Sequence, residues 1–377
     1  MVADVQFLSF RKMMGYGTTE IRCIQPVQFL RSAGFTADAA ALEEAAGKPA
    51  KVVVLHRLRW DSLTSRVIKF AKRRGAALVY DTDDLLNNPE TPDRFAPDVE
   101  DVLRHVDVVS VSGRYLKGLV GAGHPDCRVM SNKLSQHVMD LGAQSLSCRR
   151  PSDGVVTLGY FSGSAHHDAD FQLITPQLIA LMKAHPNVQL MVAGRIQVDP
   201  AFEVFHDRFR FEEFRPYADF IGLLGQIDVN LVPLDLNSSF ACARSELKYI
   251  EAAAFGVPTV ASPTAAYCDA IHEGETGFLC DGDTWFDTLA MLVQDADRRD
   301  AVGARARRHV ETAFSPEAGS SEWAALVTEL TQKNRISEAG IATWAEGLGA
   351  SATGRWRMAK RGLRDLKKRS RTLDQSQ

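Results

Sequence analysis

An α/β protein of two domains, each built on a parallel sheet, is what this 377-residue sequence predicts. Three observations carry that expectation. Short apolar runs alternate with longer amphipathic segments, the pattern of stacked βα units. The alternation occurs in two series with a polar break between them. The length also exceeds what a single hydrophobic core usually serves.

In the first series the strand candidates are Val5 to Phe10, Lys51 to His56, Ala77 to Tyr80, Val106 to Val111 and Cys127 to Met130. They are rich in Val and Leu without alternation, as expected of strands covered on both faces. Helical stretches such as Arg22 to Ala33 and Ser62 to Arg74 separate them. The polar segment Ser145 to Gly154, with Arg149, Arg150 and Pro151, reads as an interdomain linker. The second series has strands at Val155 to Phe161, Val188 to Ala193, Val229 to Leu234 and Pro258 to Ala261. Its helices are expected at Phe171 to Ala184, Ser245 to Phe255, Trp285 to Gln294 and Ala301 to Ala313. Two Rossmann-like halves follow, with no short-period repeat or low-complexity tract to suggest a solenoid.

Composition narrows the function classes. With 45% hydrophobic and 24% charged residues and a net charge of -3, the chain is neither disordered nor a global polyanion binder. The charge is uneven. From Gly354 to Leu373 there are nine Lys or Arg residues against the single acid Asp365. The six cysteines show no Cys-x-x-Cys spacing, which fits a reducing compartment. No stretch approaches the eighteen or so apolar residues of a membrane span, and the run Val5 to Phe10 is too short for a signal sequence. A cytoplasmic protein is expected.

Ligands of open α/β sheets bind beyond the carboxyl ends of the strands. After Val155 to Phe161 comes Ser162-Gly163-Ser164-Ala165-His166-His167-Asp168, leading into a helix. Such a loop presents backbone N–H groups to a phosphate, or is a plain tight turn. In Arg244-Ser245-Glu246-Leu247-Lys248-Tyr249-Ile250-Glu251 a helix begins near Ser245 and ends at Gly256, with Pro258 opening a strand. Leu247, Ile250 and Ala254 form an apolar stripe. Lys248 and Glu251, three apart, share one face. They suit a diphosphate and ribose hydroxyls, or form a surface ion pair worth under about 1 kcal/mol.

The run Glu246 to Ser262, followed by Asp269-Ala270-Ile271-His272-Glu273-Gly274-Glu275-Thr276-Gly277-Phe278-Leu279 and Arg305-Ala306-Arg307, resembles the donor domain of group 1 (GT4-like) glycosyltransferases. Leu158 to Ser164 and His167 to Phe171 are similar to the first strand and loop of that domain in a bacterial subgroup, and Val79 to Leu86 resembles a segment of its N-terminal domain. The resemblance implies a GT-B fold, two Rossmann-like domains facing a central cleft. Domains are expected at 1–147 (acceptor side) and 154–315 (nucleotide-sugar donor side), with helices at 316–345 returning to the first domain and a basic tail at 346–377.

The resemblance also implies roles. Glu251 matches the acid that binds the donor ribose, Lys248 a basic position near the diphosphate, and Ser162 with Gly163 and Ser164 the phosphate-side loop. Ser245 joins that set, and Arg195, after Val192-Ala193-Gly194, is expected to reach the diphosphate. Gly15-Tyr16-Gly17 with Arg22 matches the glycine-bearing loop facing the cleft. One departure concerns the family's Glu-x7-Glu pair. Ala243 stands where the first acid belongs, and Glu246 differs from it in helical phase.

Other residues admit competing readings. Asp81, Asp83 and Asp84 suit Mg²⁺ or Mn²⁺, helix capping or acceptor binding; the resemblance implies metal-independent chemistry, so acceptor-side placement with no metal is expected, beside His56. Phe211, Phe214 and Tyr217 suit a base pocket or a core. The tail from Arg355 to Arg369, with Trp356, Met358, Leu363 and Leu366, reads as a segment for an anionic membrane surface or a solvated basic tail. No nucleic-acid-binding motif accompanies it.

The expected activity is transfer of a sugar from a nucleotide-sugar donor to a glycan, lipid-linked or protein acceptor, with retention of configuration and no separate cofactor. The alternatives are a GT-B-fold nucleotide-sugar epimerase or phosphorylase, and a degenerate transferase serving as a binding or scaffold subunit.

Overall fold

The computed structural model describes residues 2–10, 17–45, 48–88, 91–148, 154–163 and 168–333. The chain divides into a unit Met1–Val327, which contains both sheets, and a second unit Thr328–Gln377. In the second, residues 328–333 are helical and Lys333 pairs with Glu329 at 2.5 Å.

The first sheet contains β1 (Ala3–Ser9), β2 (Ala37–Ala41), β3 (Ala50–His56) and β4 (Ala77–Thr82). A hairpin of β5 (Asn87–Asn88) and β6 (Thr91–Phe95) interrupts the alternation before β7 (Val108–Val111) and β8 (Cys127–Val129) complete the sheet. Its order is β2-β1-β3-β4-β7-β8, all parallel. The second sheet contains β9 (Val156–Ser162), β10 (Val188–Gly194), β11 (Phe209–Glu212), β12 (Val229–Val232), β13 (Thr259–Ala261) and β14 (Phe278–Leu279). Its order is β11-β10-β9-β12-β13-β14, also parallel. In each sheet the strand order reverses once, between β1 and β3 and between β9 and β12. Those reversals are where an α/β sheet opens a crevice for a ligand.

The expected strands are present with shifted ends. The sequence reading missed β2, whose Ala-Asp-Ala-Ala-Ala run has no β-branched residue, and the short edge strands β11 and β14. Two expected helices also divide. Arg22 to Ala33 becomes a π-turn Glu20–Ile24 followed by helix Gln25–Ser32, and Phe171 to Ala184 becomes Asp168–Gln172 and Thr175–Ala184.

Two helices cross between the halves. Helix Gln136–Ser147 follows β8, yet Val138 and Met139 pack with Tyr249, Ile250 and Ala254 of the second half. Residues 316–327 are helical and return to the first sheet, where Trp323 meets Phe7 edge-on at 5.1 Å and Ser320 Oγ donates to the Phe29 carbonyl at 2.9 Å. Each half thus buries an apolar stripe belonging to the other's stretch of chain.

Candidate functional site

The second half builds its cluster around the reversal between β9 and β12. Helix Leu247–Ala254 is specified by an Ala-rich run and stops where Gly256 takes φ 68°, with Gly256 N–H bonded to the Ala253 carbonyl and Val257 N–H to the Ala252 carbonyl. This is the two-bond Schellman closure. Asn230, inside β12, donates to the Lys248 carbonyl at 3.0 Å and ties the helix to the sheet. Ile250 and Ala254 face the core, which leaves Lys248 and Glu251 on the side facing Phe161, Phe220 and Asn230, where all five line one small cavity.

Lys248 and Glu251 form no ion pair with each other. The Lys248 ammonium lies 4.8 Å from the centre of the Tyr160 ring, a contact worth up to about 2 kcal/mol when desolvated. Burial, reinforced by nearby Arg244, lowers its pKa to about 7 against the pull of Asp170 and Glu251. Glu251 accepts a hydrogen bond from the Tyr217 hydroxyl at 2.7 Å, and burial raises its pKa to about 7. Of the three aromatics that suit a base pocket or a core, Tyr217 therefore meets Glu251. Phe214 lies under the Arg195 guanidinium at 4.4 Å, and Phe211 is exposed.

The loop end of β9 is shaped by a close approach. Arg195 N–H donates to the Ser162 carbonyl at 3.1 Å, and Gly194 has φ 113°. A Cβ there would lie 1.8 Å from the Ser162 oxygen, so only glycine fits. Ser162 is buried, while a Cβ on Gly163 would meet open space. Ser164 and Gly15 lie outside the described residues.

Two residues that the sequence reading did not single out complete this cluster. Arg244 Nη1 binds Asp170 Oδ2 at 3.1 Å, and Asp170 Oδ1 accepts the Asp235 N–H at 3.1 Å. The buried Asp170 thereby joins the helix after β9 to the loop after β12 across the reversal. The available signal was Arg244 standing four residues before Lys248.

In the first half, parallel register places His56 beside Asp81 and Asp81 beside Ser110, at the carboxyl ends of β3, β4 and β7. Arg22, from the π-turn, closes over them. Its Nε and Nη2 reach Asp81 Oδ2 and Oδ1 at 3.1 and 2.6 Å, and Nη1 reaches the Met130 carbonyl and Asn132 Oδ1 at 2.7 and 3.0 Å. His56 Nδ1 contacts Asp81 Oδ2 at 3.0 Å, and Ser110 Oγ donates to Asp81 Oδ1 at 2.7 Å. Burial alone would raise the Asp81 pKa; Arg22 and His56 overcome it and hold the carboxylate well below its usual range. Arg22, His56 and Asp81 are all buried.

The outer members of the acidic run stand closer to solvent. Arg57 Nε binds Asp83 Oδ1 at 2.7 Å, and its Nη2 lies 3.5 Å from Asp84 Oδ2. Thr18 Oγ1 donates to Asp83 at 3.1 Å and contacts His56 Nε2 at 3.2 Å. Arg57 has φ 51°, in the left-handed region that residues other than glycine seldom adopt, and such strain clusters at binding sites. Burial raises the Asp84 pKa and neighbouring Asp83 adds to this, against Arg57 and Arg244. Among the described residues no group of three His, Cys, Asp or Glu side chains is arranged to hold a metal ion.

The two clusters meet. A Cβ on Gly17 would lie 3.4 Å from Tyr217 Cδ2, and Asn132 Nδ2 donates to Ser245 Oγ at 2.8 Å. Ser239 Oγ donates to Asp93 of β6, and Ala243 is buried with Leu85, Phe95 and Ala96 of the first half.

Residues 156–295 match the protein family Glycosyl transferases group 1. A D-inositol 3-phosphate glycosyltransferase of Corynebacterium efficiens is 36% identical over 153 residues, 40% of this chain and 32% of that protein. The lipopolysaccharide core biosynthesis mannosyltransferase LpcC of Rhizobium leguminosarum bv. viciae is 28% identical over 181 residues, 46% of this chain and 51% of that protein. The matched stretch thus spans a third to a half of these relatives. Among solved structures, Anabaena HepE in complex with UDP and glucose superposes with a TM-score of 0.62 at 14% identity, covering 86% of this chain and 99% of HepE. The sucrose-phosphate synthase of Thermosynechococcus elongatus does so with 0.64 at 15% identity, covering 87% and 99%. At these identities the structural likeness speaks for the fold.

Proposed function

We infer that this chain, which has the GT-B fold and carries a group 1 glycosyltransferase domain at residues 156–295, moves a sugar from a nucleotide diphosphate donor to a hydroxylated acceptor. The observation that carries the reading is the placement of Lys248, Glu251 and Tyr217 together where the strand order reverses at β9 and β12. That is where a parallel sheet receives a nucleotide.

In this reading Glu251 accepts the ribose hydroxyls, oriented by Tyr217. Lys248, with Arg195 and the Ser162-Gly163-Ser164 loop, stabilises the charge that develops on the leaving diphosphate. A cation already aimed at that charge in a water-poor site needs no reorganisation during the reaction. Ser245 sits at the start of the same helix. The donor domain is proposed as residues 154–315 and the acceptor-side domain as 1–147, with 316–345 returning to the latter.

On the acceptor side, Asp83, Asp84 and Arg57 face the ligand, while Arg22, His56 and Asp81 hold them from beneath and Gly17, with Gly15, belongs to the facing loop. Retention of configuration and independence from a metal are part of the proposal. HepE was crystallised with UDP, and one relative is a GDP-mannose-dependent mannosyltransferase, which supports a UDP- or GDP-hexose donor. The inositol phosphate and lipopolysaccharide relatives support a polyol or glycan acceptor in glycoconjugate biosynthesis. No helix among the described residues is long and apolar enough to cross a membrane, and the basic tail at 346–377, proposed to touch an anionic surface, lies outside them.

The test is transfer. Incubation with UDP- and GDP-hexoses and inositol phosphate or lipopolysaccharide-core fragments is expected to yield a glycosylated product by mass spectrometry, with Lys248→Ala lowering kcat by about 100- to 1000-fold. Donor hydrolysis alone, unaffected by that substitution, contradicts it. A second reading, a binding subunit without turnover, is favoured by Ala243, which is 3% exposed and packed among apolar residues of the first half. Saturable nucleotide binding with no turnover on any acceptor supports that reading instead.

A further inference from the structure

Asn132 lies between β8 and helix Gln136–Ser147, where the chain first leaves the acceptor half. It is 1% exposed and its side chain is used at both ends. Oδ1 accepts Arg22 Nη1 at 3.0 Å, and Nδ2 donates to Ser245 Oγ at 2.8 Å. Glu246, the next residue of the donor half, is buried as well. Arg22 in turn holds Asp81, and Asp81 holds His56. Polar contacts therefore run unbroken from the acceptor-side carboxylates to Ser245, two residues before helix Leu247–Ala254.

This arrangement is specific. An amide can accept from a guanidinium and donate to a hydroxyl at once, and neither an apolar nor a purely acidic side chain of the same size does both. The Arg22 end is buried and has no water to fall back on, so removing the amide leaves a guanidinium N–H short of a partner. The helix that begins here carries Lys248 in its first turn and Glu251 in its second.

We propose that Asn132 is a positioning residue, which fixes the start of the donor helix against the Arg22–Asp81 pair and so holds the donor and acceptor groups in a common register. Its catalytic consequence rests on the transferase reading above; the positioning itself does not. A group displaced by about 1 Å by a change elsewhere in the molecule loses about 100-fold in rate. A tie of this kind acts on the rate of transfer more than on the binding of the nucleotide, whose contacts all lie on one half.

The test uses the full chain with Asn132→Ala, Ser245→Ala and the double variant. Ser245→Ala cuts the tie and leaves every partner of Arg22 in place, so it reads the contact even if Asn132→Ala folds poorly. Amide hydrogen exchange is expected to quicken by at least about 10-fold across residues 239–254 in each variant, with the strands β9 and β12 unchanged. With UDP- or GDP-hexose and acceptor, kcat is expected to fall about 10- to 100-fold in Asn132→Ala while its donor KM stays within about 3-fold. The double variant is expected to add less than about 2-fold to the larger single effect, because both remove one contact.

Exchange at 239–254 equal to wild type in both single variants overturns the proposal, as do multiplicative effects in the double variant. If the wild type binds and transfers no sugar, the transferase reading fails, and the exchange comparison still decides whether Asn132 sets the helix.

Discussion

Lys248 and Glu251 are each brought to about 7 by burial, from opposite directions. The signs matter for binding. Lys248 carries its charge below about pH 7, when it attracts a diphosphate, and Glu251 carries its charge above about pH 7, when it accepts two ribose hydroxyls. Nucleotide affinity is therefore expected to peak near neutral pH and to fall on both sides, as read by calorimetry from pH 5.5 to 8.5. Glu251→Gln removes the acidic limb; an unaltered profile in that variant contradicts the assignment. The Asp81 carboxylate has the opposite disposition, held ionised by Arg22 and His56. Asp81→Asn leaves the Arg22 charge buried and uncompensated, a loss of about 3–5 kcal/mol in urea unfolding at neutral pH. The folded-state pKa of Asp81 is depressed, so its contribution is present in full above the unfolded value of about 3.9 and is lost progressively as the pH falls from there through the depressed folded value. Residue types alone pointed to Asp81, Asp83 and Asp84 as one group. Their division into an inner Asp81 and the outer Asp83 and Asp84 came from strand register, which places His56 and Ser110 on either side of Asp81.

At the scale of elements, the phosphate-side loop depends on two parallel strands ending close together. Gly194 on β10 faces Ser162 on β9 in register, and its φ of 113° lies in the region open to glycine. Gly194→Ala combines backbone strain of about 1–3 kcal/mol with a collision against the Ser162 carbonyl, and is expected to cost more than about 3 kcal/mol in all. Nucleotide binding should weaken with it; a variant as stable as wild type would mean that this close approach does not shape the loop. The apolar runs made most strands legible, because buried parallel strands are continuous in Val, Leu and Ile. Edge strands β2, β11 and β14 were not legible, being short or Ala-rich and defined by their neighbours. The hairpin of β5 and β6 was equally silent in the sequence, and it is the element that brings Asp93 to Ser239.

For the whole molecule, the sequence carried the two-sheet plan and the donor helix, and could not carry what joins them. Asn132, Tyr217 and Arg244 act on partners 113, 34 and 74 residues away in the chain, at Ser245, Glu251 and Asp170. Spacing rules reach only three or four residues along a helix and two along a strand, so pairs of this kind emerge only from packing. The central claim is that the second half holds a nucleotide diphosphate through Glu251 and its neighbours. Calorimetric titration of UDP and GDP into wild type and Glu251→Ala measures it most directly. Saturable binding of one of them, weakened about 10- to 100-fold in the variant, is the expected result; equal affinity in the two proteins, or no binding of either nucleotide by wild type, contradicts it.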